Sequence, residues 1–156
     1  MAFRDDLEQE LVSSLPLRDA IIVQSGTLVR AAIADMRAHS MGCAVIVDDA
    51  KVPTGIFTEQ SVIKLLMEHA SLDDRPVQDF ADPHFISVQS GEPISRVLDA
   101  IQRSGARFVC VTDDGGKLIG LTGQRGMAEY VADCFAQQVT VQRLGSTPWM
   151  QNRDGA

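Results

Sequence analysis

The sequence predicts an α+β fold made of two tandem repeats, each in the order β-α-β-β-α, packed against each other by pseudo-twofold symmetry. Two observations support this prediction. The chain repeats itself, since residues 23–26 and 88–91 both read VQSG. Each copy also alternates between strand-type and helix-type hydrophobic patterns. We assign the first repeat to residues 16–72 and the second to residues 73–136.

The segment before the first repeat, residues 1–15, is expected to be an extra helix. Its apolar residues are spaced for one helical face, and Pro16 would stop it. These apolar residues are Leu7, Leu11, Val12 and Leu15.

A helix is expected after each VQSG strand, because apolar residues recur there at intervals of three and four. In the first repeat these are Leu28, Val29, Ala32, Ile33 and Met36, and in the second they are Ile94, Val97, Leu98 and Ile101.

Two β-hairpins follow these helices. Residues 43–47 (CAVIV) and 107–111 (RFVCV) read as strands, and each meets an acidic turn before a second short strand. The second strands cover residues 52–57 and 117–122. The turn at residues 113–116 (DDGG) lacks the ligand periodicity of a calcium loop, so a hairpin turn explains it.

Each repeat closes with a second amphipathic helix, marked by Leu65 and Leu66 in the first repeat and by Tyr130 and Val131 in the second. Residues 71–76 form a polar connector that ends in proline. Residues 137–156 turn polar and are expected to be an extended or frayed tail, with Trp149 folded back onto the body or a dimer mate.

Composition limits the function. The net charge of −7, with no run of Lys or Arg, argues against nucleic acid as a direct partner. The longest uncharged apolar stretch, residues 41–47, is too short to cross a bilayer, and the acidic N-terminus does not resemble a signal peptide. We therefore expect a cytoplasmic protein. The three cysteines have no metal-type spacing and are expected to be small hydrophobes in a reducing compartment.

The doubled order of elements resembles the CBS-domain pair, often called a Bateman module. The resemblance covers roughly residues 16–136. It is carried by the hairpins VIVDD and VCVTDD, and by the glycine-containing strands that lead into helices at GIFTEQSV and GLTGQRGM. The ending YVADCF resembles that of small bacterial proteins consisting of little besides a CBS pair. The resemblance implies a non-catalytic regulatory module that forms homodimers and acts on another protein, whose identity the sequence does not reveal.

The resemblance also implies two clefts between the repeats that bind adenosine compounds: AMP, ADP, ATP, NAD or S-adenosylmethionine. No resident cofactor or metal is implied. One cleft would take its base-binding wall from Asp19, Ala20, Ile21, Met41, Gly42 and Cys43, and its sugar and phosphate side from Arg107, Gly123, Arg125 and Gly126. The other would use His84, Phe85, Ile86, Gly105 and Ala106, facing Thr58, Gln60 and Ser61.

The chain departs from the family pattern at the ribose-binding aspartate. Ligand-binding repeats of the family carry Thr/Ser-x-x-Asp at the entry to the last helix, but Ser61 and Gly126 stand at the aspartate positions here. Loss of a bidentate carboxylate bond weakens binding by about 2–4 kcal/mol. Glu59 offers a substitute carboxylate, and Arg107 with Arg125 could hold a phosphate without ribose contacts.

Two functions therefore remain open from the sequence. One is a sensor of an adenosine nucleotide or another anion. The other is a ligand-free dimerisation or adaptor module, whose clefts would be filled by Met41, Phe85 and Phe108. An enzyme is not expected, because the sequence shows no nucleophile–base pair, metal cluster or glycine-rich phosphate loop.

Overall fold

The structure, a computed structural model, describes the backbone of residues 2–145 and the side chains of residues 4–137. Its elements follow the predicted order, with one additional helix at the start. The N-terminal helix and the first repeat comprise α1 (Ala2–Gln9), β1 (Ile22–Gln24), α2 (Val29–Ala38), β2 (Cys43–Val47), β3 (Pro53–Thr58) and α3 (Glu59–Met67). The second repeat comprises β4 (Ile86–Gln89), α4 (Ser95–Ser104), β5 (Phe108–Thr112), β6 (Leu118–Gly123) and α5 (Gln124–Gly145).

Each repeat contains one three-stranded sheet, and the two sheets have the same topology. β2 lies between β1, which is parallel to it, and β3, which is antiparallel. β5 lies in the same way between β4 and β6. Both hairpins shift register at the same place, after Ile46 in the first sheet and after Val111 in the second. The predicted α+β fold with two β-α-β-β-α repeats is confirmed.

The acidic turns of the two hairpins are built in the same way. The Asp48 carboxylate accepts hydrogen bonds from the backbone N–H groups of Ala50 and Val52, each at 2.9 Å. The Asp113 carboxylate accepts equivalent bonds from Gly115 and Lys117, also at 2.9 Å. An aspartate that bonds its own turn favours this conformation, so both acidic runs are hairpin turns.

The core has three parts. Two of them lie between the helices and the outer face of each sheet. Because β-strand side chains alternate between faces, each sheet also has an inner apolar face. The third part of the core lies between these two inner faces and joins the repeats into one unit. It is formed by Cys43, Val45, Val47 and Ile56 from the first repeat and by Cys110, Leu118 and Leu121 from the second.

The segments that precede β1 and β4 pack on the opposite repeat, which was not expected from the sequence. Val12 and Leu15 are buried in the core of the second repeat, together with Leu7 of α1. Val77 is buried in the core of the first repeat. Each segment forms a short 3₁₀ turn, at Val12–Ser14 and Val77–Asp79, so the two exchanges are equivalent.

The predicted single helix over residues 1–15 is therefore wrong in its extent. α1 ends at Gln9, and Leu11 has an extended backbone. The Val12 N–H donates to the Glu92 carbonyl of the second repeat at 2.8 Å. This long-range bond, together with the burial of Val12, outweighs the helical spacing of the apolar residues, since tertiary packing overrides local propensity.

The last helix is longer than expected. α5 continues to Gly145, well beyond the expected start of the tail at residue 137. Trp149 and the rest of residues 146–156 lie outside the described residues, so the prediction that Trp149 folds back remains a prediction. Within residues 2–145, no helix is both long enough and apolar enough to span a membrane.

Candidate functional site: two clefts between the repeats

Two clefts open between the repeats. Cleft 1 has a volume of about 410 Å³ and brings the start of α5 together with the loop before β2. Its lining residues are Pro16, Arg18, Ser40, Met41, Gly42, Arg107, Phe108, Leu121, Thr122, Gly123, Gln124, Arg125 and Gly126.

Cleft 1 contains part of the base-binding wall expected from the sequence and all of the expected sugar and phosphate side. The expected residues that line it are Met41, Gly42, Arg107, Gly123, Arg125 and Gly126. Four others do not line it: Asp19, Ala20, Ile21 and Cys43.

Backbone pairing, burial in the core or exposure to solvent keeps these four residues out of the cleft lining. The Ile21 carbonyl accepts a hydrogen bond from the Val45 N–H, which ties Ile21 to the sheet. Ala20 packs against the core between the sheets, and Asp19 is exposed. Cys43 is fully buried in that core, and burial, with a smaller contribution from Cys110, raises the pKa of its thiol to about 12. A neutral, buried thiol is not a nucleophile at physiological pH.

Arg18 lines cleft 1 because its backbone pairs with β6. The Arg18 N–H donates to the Leu121 carbonyl, and the Leu121 N–H donates back, each at 2.9 Å. Glycine at position 120 favours this close approach, because a Cβ atom there would lie 3.0 Å from the Leu17 Cβ. The sequence contains a usable signal, because Gly55 and Gly120 hold equivalent positions in the two repeats and glycine in a strand often marks a close backbone approach.

Cleft 1 is positively charged in a protein whose net charge is −7. Arg18, Arg107 and Arg125 line it, and no carboxylate stands among its described lining residues. Glu129 accepts from Arg18 at 3.1 Å and from Arg125 at 3.2 Å, while Glu59 accepts from Arg107 at 3.0 Å. These ion pairs are largely exposed and therefore weak, so an incoming anion can compete for the guanidinium groups.

The start of α5 faces cleft 1 and carries no side-chain cap at Gly123. The backbone of Gly123 has a φ of 155°, and a Cβ atom there would lie 2.1 Å from the Arg107 carbonyl oxygen. Only glycine fits this position. The first N–H groups of a helix lack partners within the helix and favour a negative charge, and a glycine gives them no side-chain acceptor.

Cleft 2 is larger, with a volume of about 740 Å³, and lies at the start of α3. All eight residues expected there line it: Thr58, Gln60, Ser61, His84, Phe85, Ile86, Gly105 and Ala106. Glu59, the expected substitute carboxylate, lines it too, and further lining residues not expected from the sequence include Lys64, Phe80 and Asp82.

The start of α3 is capped, unlike that of α5. The Thr58 side chain accepts from the Ser61 N–H at 3.4 Å, and the Thr58 N–H donates to the Ser61 hydroxyl at 3.1 Å. This reciprocal pair is a capping box, and it satisfies the helix terminus internally. The hydroxyl groups of Thr58 and Ser61 are thus already hydrogen-bonded. The start of α3 therefore offers a ligand in cleft 2 fewer free backbone N–H groups than an uncapped helix would.

Three residues line both clefts and form the wall between them: Gly42, Arg107 and Phe108. The Arg107 guanidinium lies over the Phe108 ring in a cation–π arrangement, 5.2 Å from the ring centroid. A Cβ atom at position 42 would lie 2.9 Å from the Phe108 ring, so glycine allows the ring to seat there. The Glu59–Arg107 ion pair crosses from α3 to the second repeat at the same place.

Among the residues whose side chains are described, no cluster of three His, Cys, Asp or Glu side chains is arranged to hold a metal ion. Cys110, like Cys43, is fully buried, and burial raises the pKa of its thiol to about 12. The clefts combine apolar walls and arginines, and cleft 1 adds a helix N-terminus.

Comparison with known proteins agrees with this arrangement. The family model described as CBS domain matches the chain twice, over residues 12–68 and 77–133. An uncharacterised 17.7 kDa protein of Acidianus ambivalens is 24% identical over 127 residues, which cover 81% of this chain and 76% of that protein.

Solved structures share the fold. A CBS domain protein from Pyrobaculum aerophilum complexed with AMP has a TM-score of 0.69 and 22% identity, covering 75% of this chain and 89% of that one. A CBS domain pair in complex with 5'-methylthioadenosine and S-adenosyl-L-methionine has a TM-score of 0.70 and 18% identity, covering 80% and 97%. With its doubled sheets, its two clefts and the two matches to the family model, the chain belongs to the CBS domain family and is a CBS pair, a regulatory module.

Proposed function

We propose that the protein is a non-catalytic regulatory module that binds an adenine nucleotide in cleft 1 and, when the nucleotide is bound, regulates a partner protein in the cytoplasm. The observation that carries the proposal is the charge of cleft 1. Three arginines and the N-terminus of α5 converge there in an otherwise acidic protein. Guanidinium groups and a helix N-terminus are the groups that bind phosphate in proteins.

The rest of cleft 1 suits a purine ring. Met41, Phe108 and Leu121 supply apolar surface, and Met41 and Phe108 are partly buried against the core between the sheets. An aromatic or aliphatic wall beside a few polar groups is typical of small-molecule sites. Of the CBS structures with the same fold, one was solved with AMP and one with 5'-methylthioadenosine and S-adenosyl-L-methionine, which supports an adenosine compound as the ligand class.

The alternative, an adaptor module without a ligand, predicts clefts filled by side chains. Met41, Phe85 and Phe108 do pack against the central core, yet cavities of about 410 and 740 Å³ remain beside them. Ligand sites of small molecules typically measure about 300–1,000 Å³. The open clefts therefore favour a ligand-binding module.

We also propose that the module forms a homodimer through α3. Ile63, Leu66 and Met67 lie three and four residues apart on one helical face, and they are 57%, 57% and 77% exposed. The equivalent helix of the second repeat exposes Phe135 at 58%. Pairing with a second copy would cover apolar faces on both helices, consistent with self-association through a closed twofold interface.

A thermal-shift and calorimetric screen tests nucleotide binding. We expect a selective rise in melting temperature with one or more of AMP, ADP, ATP, NAD and S-adenosylmethionine. A ligand present at about 100 times its dissociation constant adds about 2.7 kcal/mol to the free energy of unfolding. The Arg107→Ala variant should bind the phosphorylated ligand about tenfold more weakly, while binding of adenosine should change little.

Arg30→Ala is the matched control, because Arg30 is also an exposed, ion-paired arginine but lines neither cleft. It should bind the nucleotide as the unmodified protein does. A flat response to the whole panel would contradict the proposal and favour the adaptor function. Equal losses for AMP and adenosine in Arg107→Ala would remove Arg107 from phosphate binding.

A further inference from the structure

Thr122 carries the only buried side-chain polar atom without a hydrogen-bond partner in the part of the chain whose side chains are described. The residue is 5% exposed, stands next to last in β6 and lines cleft 1. Buried hydroxyl groups in folded proteins are nearly always satisfied. A threonine left unsatisfied beside a binding cleft is therefore a candidate for a group that a ligand completes.

The hydroxyl of Thr122 points at the first turn of α5. A Cβ atom placed on Gly126 would lie 2.6 Å from the Thr122 hydroxyl oxygen, nearer than any real side chain could come. Gly126 holds the position at which ligand-binding CBS repeats carry the ribose-binding aspartate. The Thr122 hydroxyl oxygen therefore occupies the space that a side chain at position 126 would need.

The first repeat differs at both positions. Phe57 and Ser61 are the equivalents of Thr122 and Gly126 in the aligned repeats. Phe57 is fully buried in the core of the first repeat, and Ser61 belongs to the capping box of α3. Only the second repeat combines a strand hydroxyl with a glycine in the first helical turn, so this arrangement is a property of cleft 1.

We propose that Thr122, Gly126 and the first turn of α5 form an oxyanion subsite at the place where the family's repeats bind ribose. The Thr122 hydroxyl donates to an anionic oxygen of the ligand, and the backbone N–H groups of the first turn and the Arg125 guanidinium supply the remaining positive potential. Once the first turn of α5 shifts, Gly126 has no side chain to stand between that oxygen and the Thr122 hydroxyl. The inference rests on the proposed ligand binding in cleft 1, and it names the phosphate group, not the ribose diol, as the feature recognised there.

The subsite is closed in this structure, since the hydroxyl oxygen is covered. A small shift of the first turn of α5 would open it. The turn is flanked by Gly123 and contains Gly126, and neither residue has a side chain that anchors the turn. Anion binding is thus expected to move the start of α5, which lies opposite the loop of the first repeat that carries Met41 and Gly42.

The experiment compares inorganic phosphate, AMP and adenosine by calorimetry on the full chain. Thr122→Val removes the hydroxyl and keeps the branched shape, and Thr122→Ser keeps the hydroxyl as the matched control. We expect Thr122→Val to bind phosphate and AMP about ten- to a hundredfold more weakly, the range expected for a hydrogen bond to a charged group. Thr122→Ser should retain most of the affinity, and adenosine binding should be the same in all three proteins.

Thermal unfolding without ligand separates binding from structure. Thr122→Val removes an unsatisfied buried group, so its melting temperature should equal or exceed that of the unmodified protein. A lower melting temperature with unchanged phosphate affinity would show that the hydroxyl is structural and overturn the inference. Nucleotide binding that is insensitive to Thr122→Val would also overturn it while leaving the proposed function intact. Phosphate binding that depends on Thr122 without any nucleotide preference would uphold the inference and contradict the nucleotide as ligand.

Discussion

Two equivalent helix starts show how single residues set the chemistry of the clefts. At α3, Thr58 and Ser61 bond to each other and satisfy the helix terminus. At α5, Gly123 and Gly126 hold the equivalent positions and provide no side-chain cap, and the Gln124 N–H donates to the Arg107 carbonyl at 3.3 Å. The repeats share the same elements, but the residues at these two pairs of positions leave one helix start capped by side chains and the other without a side-chain cap.

Ser61→Asp should restore ribose binding in cleft 2. Ser61 is the third residue of α3, it lines cleft 2, and an aspartate can keep one oxygen on the Thr58 N–H while the other faces the cleft. We expect adenosine to bind about tenfold more tightly in calorimetry, because hydrogen bonds to a carboxylate contribute about 1.5–3 kcal/mol.

Ser61→Asn is the control for this change, since it has the shape of aspartate without the charge. Adenosine affinity should stay near that of the unmodified protein. If Ser61→Asp and Ser61→Asn bind adenosine equally, the missing carboxylate is not what limits ribose recognition in cleft 2.

At the scale of elements, the N-terminal segment behaves as part of the second repeat. Leu7, Val12 and Leu15 fill its core, and the Tyr130 hydroxyl of α5 donates to the Glu10 carboxylate at 3.0 Å. The segment therefore contributes to the core of the second repeat, although in sequence it precedes the first. Its position also places Arg18 beside β6 and so completes the wall of cleft 1.

Leu15→Ala should destabilise the whole protein. Leu15 is 4% exposed in the core of the second repeat, and truncating a buried leucine costs about 2–5 kcal/mol. Urea unfolding measures the loss. Leu11→Ala is the matched control, because Leu11 is 45% exposed, and it should change stability by no more than about 0.5 kcal/mol. Equal effects of the two substitutions would contradict the packing described for Leu15.

The strands and helices of the repeats were predictable because each has a strong local pattern. Val29, Ala32 and Met36 mark the buried face of α2, and the acidic turns mark both hairpins. The exchange of the leading segments was not predicted, since it depends on long-range packing. A signal was nonetheless present in the sequence. Val12 and Val77 precede the two VQSG strands by the same distance, so aligning the repeats from these residues onward reveals that they are equivalent.

The candidate site was predictable only where the family pattern or a repeat position marked it. Arg107, Arg125 and Gly126 were found in this way and line cleft 1. Thr122 was missed because nothing in the sequence reveals that its hydroxyl is buried without a partner. Cys43 was wrongly expected to line the cleft, because strand alternation turns its side chain towards the core between the sheets.

At the scale of the whole molecule, the proposed dimer depends on the apolar face that α3 leaves exposed. Leu66→Lys should weaken the proposed dimer, because it places a charge in the middle of the α3 face between Ile63 and Met67. Light scattering on a size-exclusion column measures the mass of the particle, and we expect a shift from dimer to monomer at micromolar concentration.

Ile22→Lys is the control for the assembly. Ile22 is 49% exposed, but it lies on β1 and not on α3, so its substitution should leave the dimer intact. A monomeric unmodified protein, or a Leu66→Lys variant that still elutes as a dimer, would show that the α3 face does not hold two copies together.

The exchanged leading segments also have a consequence for how the protein is made. As the nascent chain leaves the ribosome, Val12 and Leu15 emerge well before the strands and helices that bury them. The first repeat must likewise wait for Val77 to close its core. The core of the second repeat is therefore expected to close only after the start of α5 has been translated, with Val12 and Leu15 exposed to chaperones until then.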